Sequence, residues 1–556
     1  MSDDLGTLAD DYWGALLHQR PTWRHMLGDY SDVGRYEECS REAEQEVVAT
    51  LRDFVRRAED VDASGLDEQD ALTREVVIAS ATAESDLTET PLTGLAANPV
   101  SGLHVQLPLV LGLLSVPDAT VAEQMPAKLD AVGVHFRQLA ERVRNAADGG
   151  WVSPEFAVRE TLDQLERVLA VPVEDDPAVA AVRIPEGVDA DQLRSELRAA
   201  VERSIRPGLT EFRDALSSVV GEARTEEHCG LSWLDGGDEA YAASLRFYTT
   251  TDRSAQEIHE IGLAQVATLA DEYRALGPEA VGSDDLEQIF HAMRTDPALH
   301  FEHADELVAQ SEVALARAEA AMGDWFEVVP KAPCAVEGTT VGAKAFYFAP
   351  ATDGSRGGTF FVNTIDATSW GRFELEAMAF HEGVPGHHLQ LAIAAELPDS
   401  IPAFRRHLNN SAYSEGWGLY SERLSDEMGL YSTALDRMGM YSADSMRACR
   451  LVVDTGLHAL GWSRQQAVDY MVTNSPLTEG VCRPEVDRYI CRPGQATSYM
   501  VGRLEIQRMR REAEARLGDR FDVRRFHSAV LDSGALPLGV LARVVASRTA
   551  LASGAP

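Results

Sequence analysis

One short block sets the fold class. Thr339 to Phe348 and Gly358 to Thr364 are rich in β-branched and aromatic residues, and the turn-forming stretch Asp353-Gly354-Ser355-Arg356-Gly357-Gly358 lies between them. This pattern predicts a β-hairpin or two short strands. Elsewhere apolar residues recur at helical spacing. Leu193, Leu197, Val201, Ile205, Phe212 and Leu216 share one face, and Pro207 is expected to kink or break that helix. Ser254 with Glu257 three residues on reads as a capping box opening another helix, through Ile258, Ile261, Val266, Leu269 and Tyr273. From about Phe373 the texture is helical to the end. The expected fold is mainly α with a small β-sheet. Val329-Pro330-Lys331-Ala332-Pro333 is a connector. It divides a helical N-terminal region, 1–330, from a region, 331–556, that holds the sheet and the candidate site. The two are able to form one fused body.

Composition narrows the class further. The chain is 45% hydrophobic and 25% charged, ordinary for a soluble globular protein. No run approaches the roughly 20 apolar residues that span a bilayer. Val105 to Leu114 is short and broken by Pro108, and reads as a buried segment. The start, Met1-Ser2-Asp3-Asp4, is acidic and lacks the pattern of a secretory signal. Six scattered cysteines suit buried thiols in a reducing compartment. The expected location is the cytoplasm. A formal net charge of −39 repels phosphate backbones and anionic lipids, so neither nucleic acid nor a membrane is an expected partner. An anionic substrate would need a local cluster of arginines.

The chemistry concentrates in Phe380-His381-Glu382-Gly383-Val384-Pro385-Gly386-His387-His388-Leu389-Gln390. A His-Glu pair on a helix opens the zincin motif, in which the histidine binds zinc and the glutamate is general base. A second histidine belongs four residues on, but position 385 is proline. His387 and His388 lie six and seven residues beyond His381, and a spacing of seven is about 10.5 Å along a straight helix. Two ligands at roughly 2.0–2.1 Å from one zinc cannot be that far apart. The helix is therefore expected to break between Gly383 and Gly386, because Pro385 lacks an N–H and its ring collides with the carbonyl of His381. Either His387 or His388 could then return to His381. His387 is preferred as ligand, with His388 beside it or at the substrate. The third ligand is sought in Ser411-Ala412-Tyr413-Ser414-Glu415-Gly416-Trp417-Gly418-Leu419-Tyr420-Ser421-Glu422. With Ser414 as N-cap, Glu415 and Glu422 share a helix face. Glu415 is the candidate ligand, and Glu422 is placed to hold a histidine N–H.

His-Glu-x-x-Pro-Gly-His-His-Leu-Gln followed by Ser-Glu-Gly-Trp-Gly-Leu-Tyr-x-Glu resembles the bacterial family of domain of unknown function 885. The stretches Asp353 to Arg356, Val362 to Thr364, Arg450 to His458 and Tyr489 to Tyr499 resemble it too. The resemblance covers most of the chain and is strongest from about 340 to 510. It implies a large helical, zincin-like metallopeptidase fold with a deep cleft, and peptidase activity. It does not imply a substrate.

Further candidates follow from these stretches. Arg450, Asp454 and His458 recur every four residues and form one helical stripe. Asp454 is a candidate support for the metal site; Arg450 and His458 are candidates for substrate binding, with Asn363 and Gln495. An internal ion-pair ladder is the structural alternative. Arg356, Arg450 and Arg492 are candidates to recognise a C-terminal carboxylate, which would favour carboxypeptidase-like over oligopeptidase-like action. Tyr489 or Tyr499 could steady an oxyanion. The strand around Phe360 to Asn363 could bind a peptide as an added strand. His259-Glu260 has no second histidine after it and reads as structural, and His300 and His303 read as surface histidines. No Gly-x-Ser-x-Gly elbow and no phosphate loop occur. The expected activity is zinc-dependent hydrolysis of a peptide, with Glu382 as base and His388 as a further catalytic candidate. The rivals are a metal-dependent amidase acting on a small non-peptide amide and a non-catalytic helical binding protein. The oligomeric state is open.

Overall fold

Capping and periodicity place the helices largely where the sequence predicts them. The computed structural model describes residues 3–350 and 356–551. Ser254 and Glu257 form the expected capping box on the helix Ala255–Ala280. The helix Ala190–Ala200 passes through one π turn, Val201–Ile205, into Arg206–Val219, so the chain stays helical past Pro207 and the irregularity is a π turn just before it rather than a break. The apolar run near position 110 is a helix, Leu103–Leu113. Only one side of it is buried: Val105, Leu109 and Leu113 are about two-fifths exposed. The expected buried segment is thus half solvent-facing.

The β block forms a sheet of three strands, β1 (Cys334–Thr339), β2 (Ala345–Phe348) and β3 (Gly358–Asn363), in the order β1-β3-β2. β2 and β3 are antiparallel, with Phe346 opposite Phe361. β1 runs parallel to β3, with Val336 opposite Phe360. The turn residues Asp353, Gly354 and Ser355 lie outside the described residues. Because β3 is paired on both sides, it offers no free edge, and the expected peptide addition along Phe360 to Asn363 is corrected. Asn363 instead ties loops together: its side chain donates to the Gly342 carbonyl and accepts from the Ile365 N–H.

The helix Ala434–Ala459 is the axis of the molecule. Its residues 448 to 458 are all buried. Ala448 and Leu451 belong to one apolar core, and Cys449, Val453 and Leu457 to the other. Both cores draw on residues from either side of position 330. Against this helix lies Ala255–Ala280. A Cβ at Gly262 would come within 2.8 Å of Leu451 and Val452 side-chain atoms, so the backbones approach closely there. His259 bonds the Thr455 hydroxyl at 2.8 Å, and His300 bonds the Asp296 carbonyl at 3.0 Å. The Glu374–Glu382 and Ser411–Glu427 helices pack on the same axis and carry the candidate site.

Candidate metal centre

The chain bends where the sequence predicts. One helix ends at Glu382 and the next begins at His387. A Cβ at Gly386 would lie 1.9 Å from the His381 carbonyl oxygen, so only glycine lets the two turns close. The Trp417 indole N–H donates to the Pro385 carbonyl at 2.9 Å and holds the bend from the neighbouring helix. That helix starts at Ser411 rather than Glu415, and its cap is Asn410, whose side chain accepts from the Tyr413 N–H. The expected Ser414 cap is therefore corrected; Ser414 lies inside the first turn and donates to Asn409.

The bend brings His381, His387 and Glu415 together, with their ligand atoms all within 4.8 Å of one another. Glu415 Oε2 lies 3.6 Å from His381 Nε2 and 3.5 Å from His387 Nε2. Tetrahedral ligands at zinc distances sit roughly 3.4 Å apart, so this spacing suits a shared ion. It is long for a good hydrogen bond. His381 Nδ1 is 2.7 Å from Glu422 Oε1, which fixes the ring and turns Nε2 toward Glu415. Glu422 is fully buried, with Arg447 4.0 Å away. His387 Nδ1 is buried without a partner among the described residues.

Electrostatics tie the group together. Burial pushes the His381 imidazole down, but Glu415 and Glu422 outweigh it and raise it above its ordinary value. Burial pushes Glu415 up, but the two histidines hold its carboxyl well below the usual carboxylate range. Two imidazoles and a carboxylate of this kind form a ligand set that suits zinc, and taking up a cation there would release protons. Glu382 is 8% exposed and has no hydrogen bond or ion pair among the described residues.

Two glycines near Glu415 had drawn no role from the sequence. Gly416 sits against Gly502 where two helices cross. Gly418 faces the His381 ring: a Cβ there would lie 2.5 Å from Cε1 and 2.8 Å from Nε2. The Gly-Trp-Gly run was the available signal. Gly418→Ala should push this ring aside and weaken zinc binding at least about tenfold, as loss of a ligand-orienting contact does. Competition with a chelating dye measures it, and wild-type affinity would refute the steric argument.

The remaining candidates separate. His388 turns from the cluster to the sheet side: its Nδ1 is 2.8 Å from the Tyr347 hydroxyl and its Nε2 3.0 Å from the Ala332 carbonyl. Tyr347 was not foreseen. Among the described residues Arg450, Asp454 and His458 do not bond one another and Asp454 has no direct link to the metal cluster; the ion pair made from this stripe is Arg450 with Glu485. Arg450 binds Glu485 at 2.8 Å and the Tyr489 hydroxyl at 2.9 Å, beneath the Tyr499 ring at 4.5 Å. Asp454 accepts from the Tyr241 hydroxyl at 2.5 Å and the Gly494 N–H at 2.9 Å. His458, fully buried, accepts from the Leu231 N–H and lies 3.1 Å from the Tyr489 carbonyl. The stripe clamps the segment 485–499. Tyr489 is buried, and its hydroxyl donates to Glu485 at 2.6 Å. Tyr499 is the tyrosine that feels Glu415; burial and then this charge raise its hydroxyl, against a lowering effect of Gln495. Arg488 also donates to Gln495, at 2.6 Å. Arg356 is exposed and donates to the Ala349 and Gly357 carbonyls.

Burial pushes the Asp454 carboxyl up to about 7, against the lowering effect of Tyr241, Gly494 and Arg488. A carboxyl raised on folding holds a proton that the unfolded chain has released, so its contribution to stability is lost as pH rises from about 4 to about 7. The loss is at most about 4 kcal/mol. Asp454→Asn should flatten this part of the pH dependence in urea unfolding, and an unchanged slope would refute the assignment.

A cavity of about 860 Å³ has Glu415, Gln495, Arg492, Tyr248 and Asn410 on its wall. Two kinds of likeness place the chain among known proteins. The family model described as "Bacterial protein of unknown function (DUF885)" matches residues 21–545. The chain belongs to this family. No curated protein matches it. Two solved structures share the DUF885 chain's fold. One, described as a "putative lipoprotein" from Colwellia psychrerythraea, has a TM-score of 0.90 and 25% identity, with 99% of this chain and 100% of that one covered. The other, described as a "putative lipoprotein of unknown function" from Shewanella oneidensis, has a TM-score of 0.76 and 16% identity, with 98% and 99% covered. The mainly helical fold with its small sheet is thus the fold of solved relatives over nearly their whole length. Among the described residues, no helix is long and apolar enough to cross a membrane.

Proposed function

We propose that this DUF885 protein is a zinc-dependent hydrolase of the zincin-like kind, a metallopeptidase. The observation that carries the reading is the convergence of His381, His387 and Glu415, with Glu382 next in the chain to one of them. Zinc held by these three would supply a Lewis acid and lower the pKa of a bound water to about 7. Glu382 takes the proton of the attacking water and returns it to the leaving amine. Its carboxylate has no competing partner among the described residues, which leaves it available for this work. Glu422 orients His381 and sets which ring nitrogen faces the ligand group. Tyr499, which feels the Glu415 charge while the Tyr489 hydroxyl is committed to Glu485, is the better placed of the two tyrosines to donate to an oxyanion.

The cavity beside Glu415 is of a size that accepts a short peptide. All six cysteines are unpaired thiols, which supports the cytoplasm as the compartment. The test is metal removal. Full-length protein stripped by a chelator should lose peptide hydrolysis, and about one equivalent of zinc per chain should restore it. Hydrolysis that survives stripping would overturn the reading.

A further inference from the structure

Four arginines line the cavity that holds Glu415: Arg20, Arg246, Arg492 and Arg543. Three are committed. Arg20 pairs with Glu84, Arg246 with Asp86 at 3.6 Å, and Arg543 with Glu75 at 2.5 Å. Arg492 has no carboxylate within ion-pair distance among the described residues. Its Nε donates to the Tyr248 hydroxyl at 3.1 Å and its guanidinium lies 5.5 Å from that ring's centre. Neither terminal nitrogen is engaged among the described residues, so the planar fork that binds a carboxylate with two parallel bonds is free.

The backbone under Arg492 is fixed. Its N–H bonds the Arg488 carbonyl at 2.9 Å, and Gly494, two residues on, is pinned by buried Asp454. One residue after that glycine, Gln495 lines the same cavity as Glu415 and accepts from Arg488 at 2.6 Å. The guanidinium and Glu415, one of the three metal-ligand candidates, therefore share one cavity through a pinned turn. The other two arginines that the sequence offered for this task are spent elsewhere: Arg450 on Glu485, and Arg356 on backbone carbonyls. In a chain with 89 acidic and 50 basic residues, a substrate carboxylate is repelled except where a cation is left unpaired.

We propose that Arg492 binds the free C-terminal carboxylate of a short peptide, so that the enzyme removes residues from the carboxyl end. This rests on the metallopeptidase reading above.

The experiment compares zinc-loaded full-length wild type, Arg492→Gln and Arg492→Lys on matched peptides. One series ends in a free acid, one in an amide, and one in an amide with a glutamate as its last residue. Wild type should favour the acid over the plain amide in kcat/KM by about 10- to 100-fold, the factor that hydrogen bonds to a charged group supply. Arg492→Gln should lose this preference chiefly through KM, and Arg492→Lys should keep part of it. Equal wild-type rates on acid and amide would overturn the carboxylate claim while leaving the metallopeptidase reading intact. So would a preference that survives Arg492→Gln, or a glutamate amide cleaved as fast as the free acid, which would mean a side-chain carboxylate is bound instead. No cleavage of any series would sink both. If Arg492→Gln fails to fold, the Arg492→Lys variant and the wild-type comparison carry the decision.

Discussion

Glu382→Gln should lower kcat on a peptide substrate by about 10²- to 10⁴-fold, the share that a positioned general base supplies, while zinc stays bound at one per chain. Glutamine keeps the shape and the burial of the side chain but cannot accept the proton of a water nucleophile. The carboxylate is 8% exposed and bonded to nothing among the described residues, so its replacement breaks no structural tie. Thermal unfolding should therefore move little. The comparison needs kcat and metal content on the same preparation. Full turnover by the glutamine variant would remove Glu382 from the mechanism.

The second large effect separates two neighbouring histidines. His387→Ala should weaken zinc binding by about a hundred- to a thousandfold, one ligand's share of the 10–16 kcal/mol that a four-ligand site gives. His388→Ala should leave zinc affinity close to that of wild type, since both its ring nitrogens are engaged by Tyr347 and Ala332. Its cost should appear instead in the stability of the sheet, where the half-buried Tyr347 hydroxyl loses its partner. Isothermal titration of metal-free protein with zinc gives both numbers. The reverse order would mean that the bend turns the other way in the metal-bound protein.

The bend itself was legible because its cause is local: a proline between glycines cannot continue a helix, whatever surrounds it. The side to which the chain turns was less legible. It depends on Trp417, whose indole reaches Pro385 from 32 residues away, and on Tyr347, which occupies His388 from the sheet. Neither contact leaves a periodic trace. The Ser254 capping box was visible because both halves lie within four residues, whereas Asn410 was overlooked beside Ser414, an equally good cap by residue type. β1 went unpredicted as a strand because its parallel partner lies 24 residues on, across the turn-rich segment. The stripe of Arg450, Asp454 and His458 could be read from its spacing, but its partners Glu485, Gly494 and Tyr489 stand on another element. The same distance effect hid the difference among the three candidate arginines, which only their neighbours distinguish.

The most direct measurement is crystallographic. Zinc-soaked full-length protein, with data collected on either side of the zinc absorption edge, should show one strong anomalous peak about 2.0–2.1 Å from His381 Nε2, His387 Nε2 and a Glu415 oxygen. A peak elsewhere on the chain, or none with those three side chains ordered, would contradict the account.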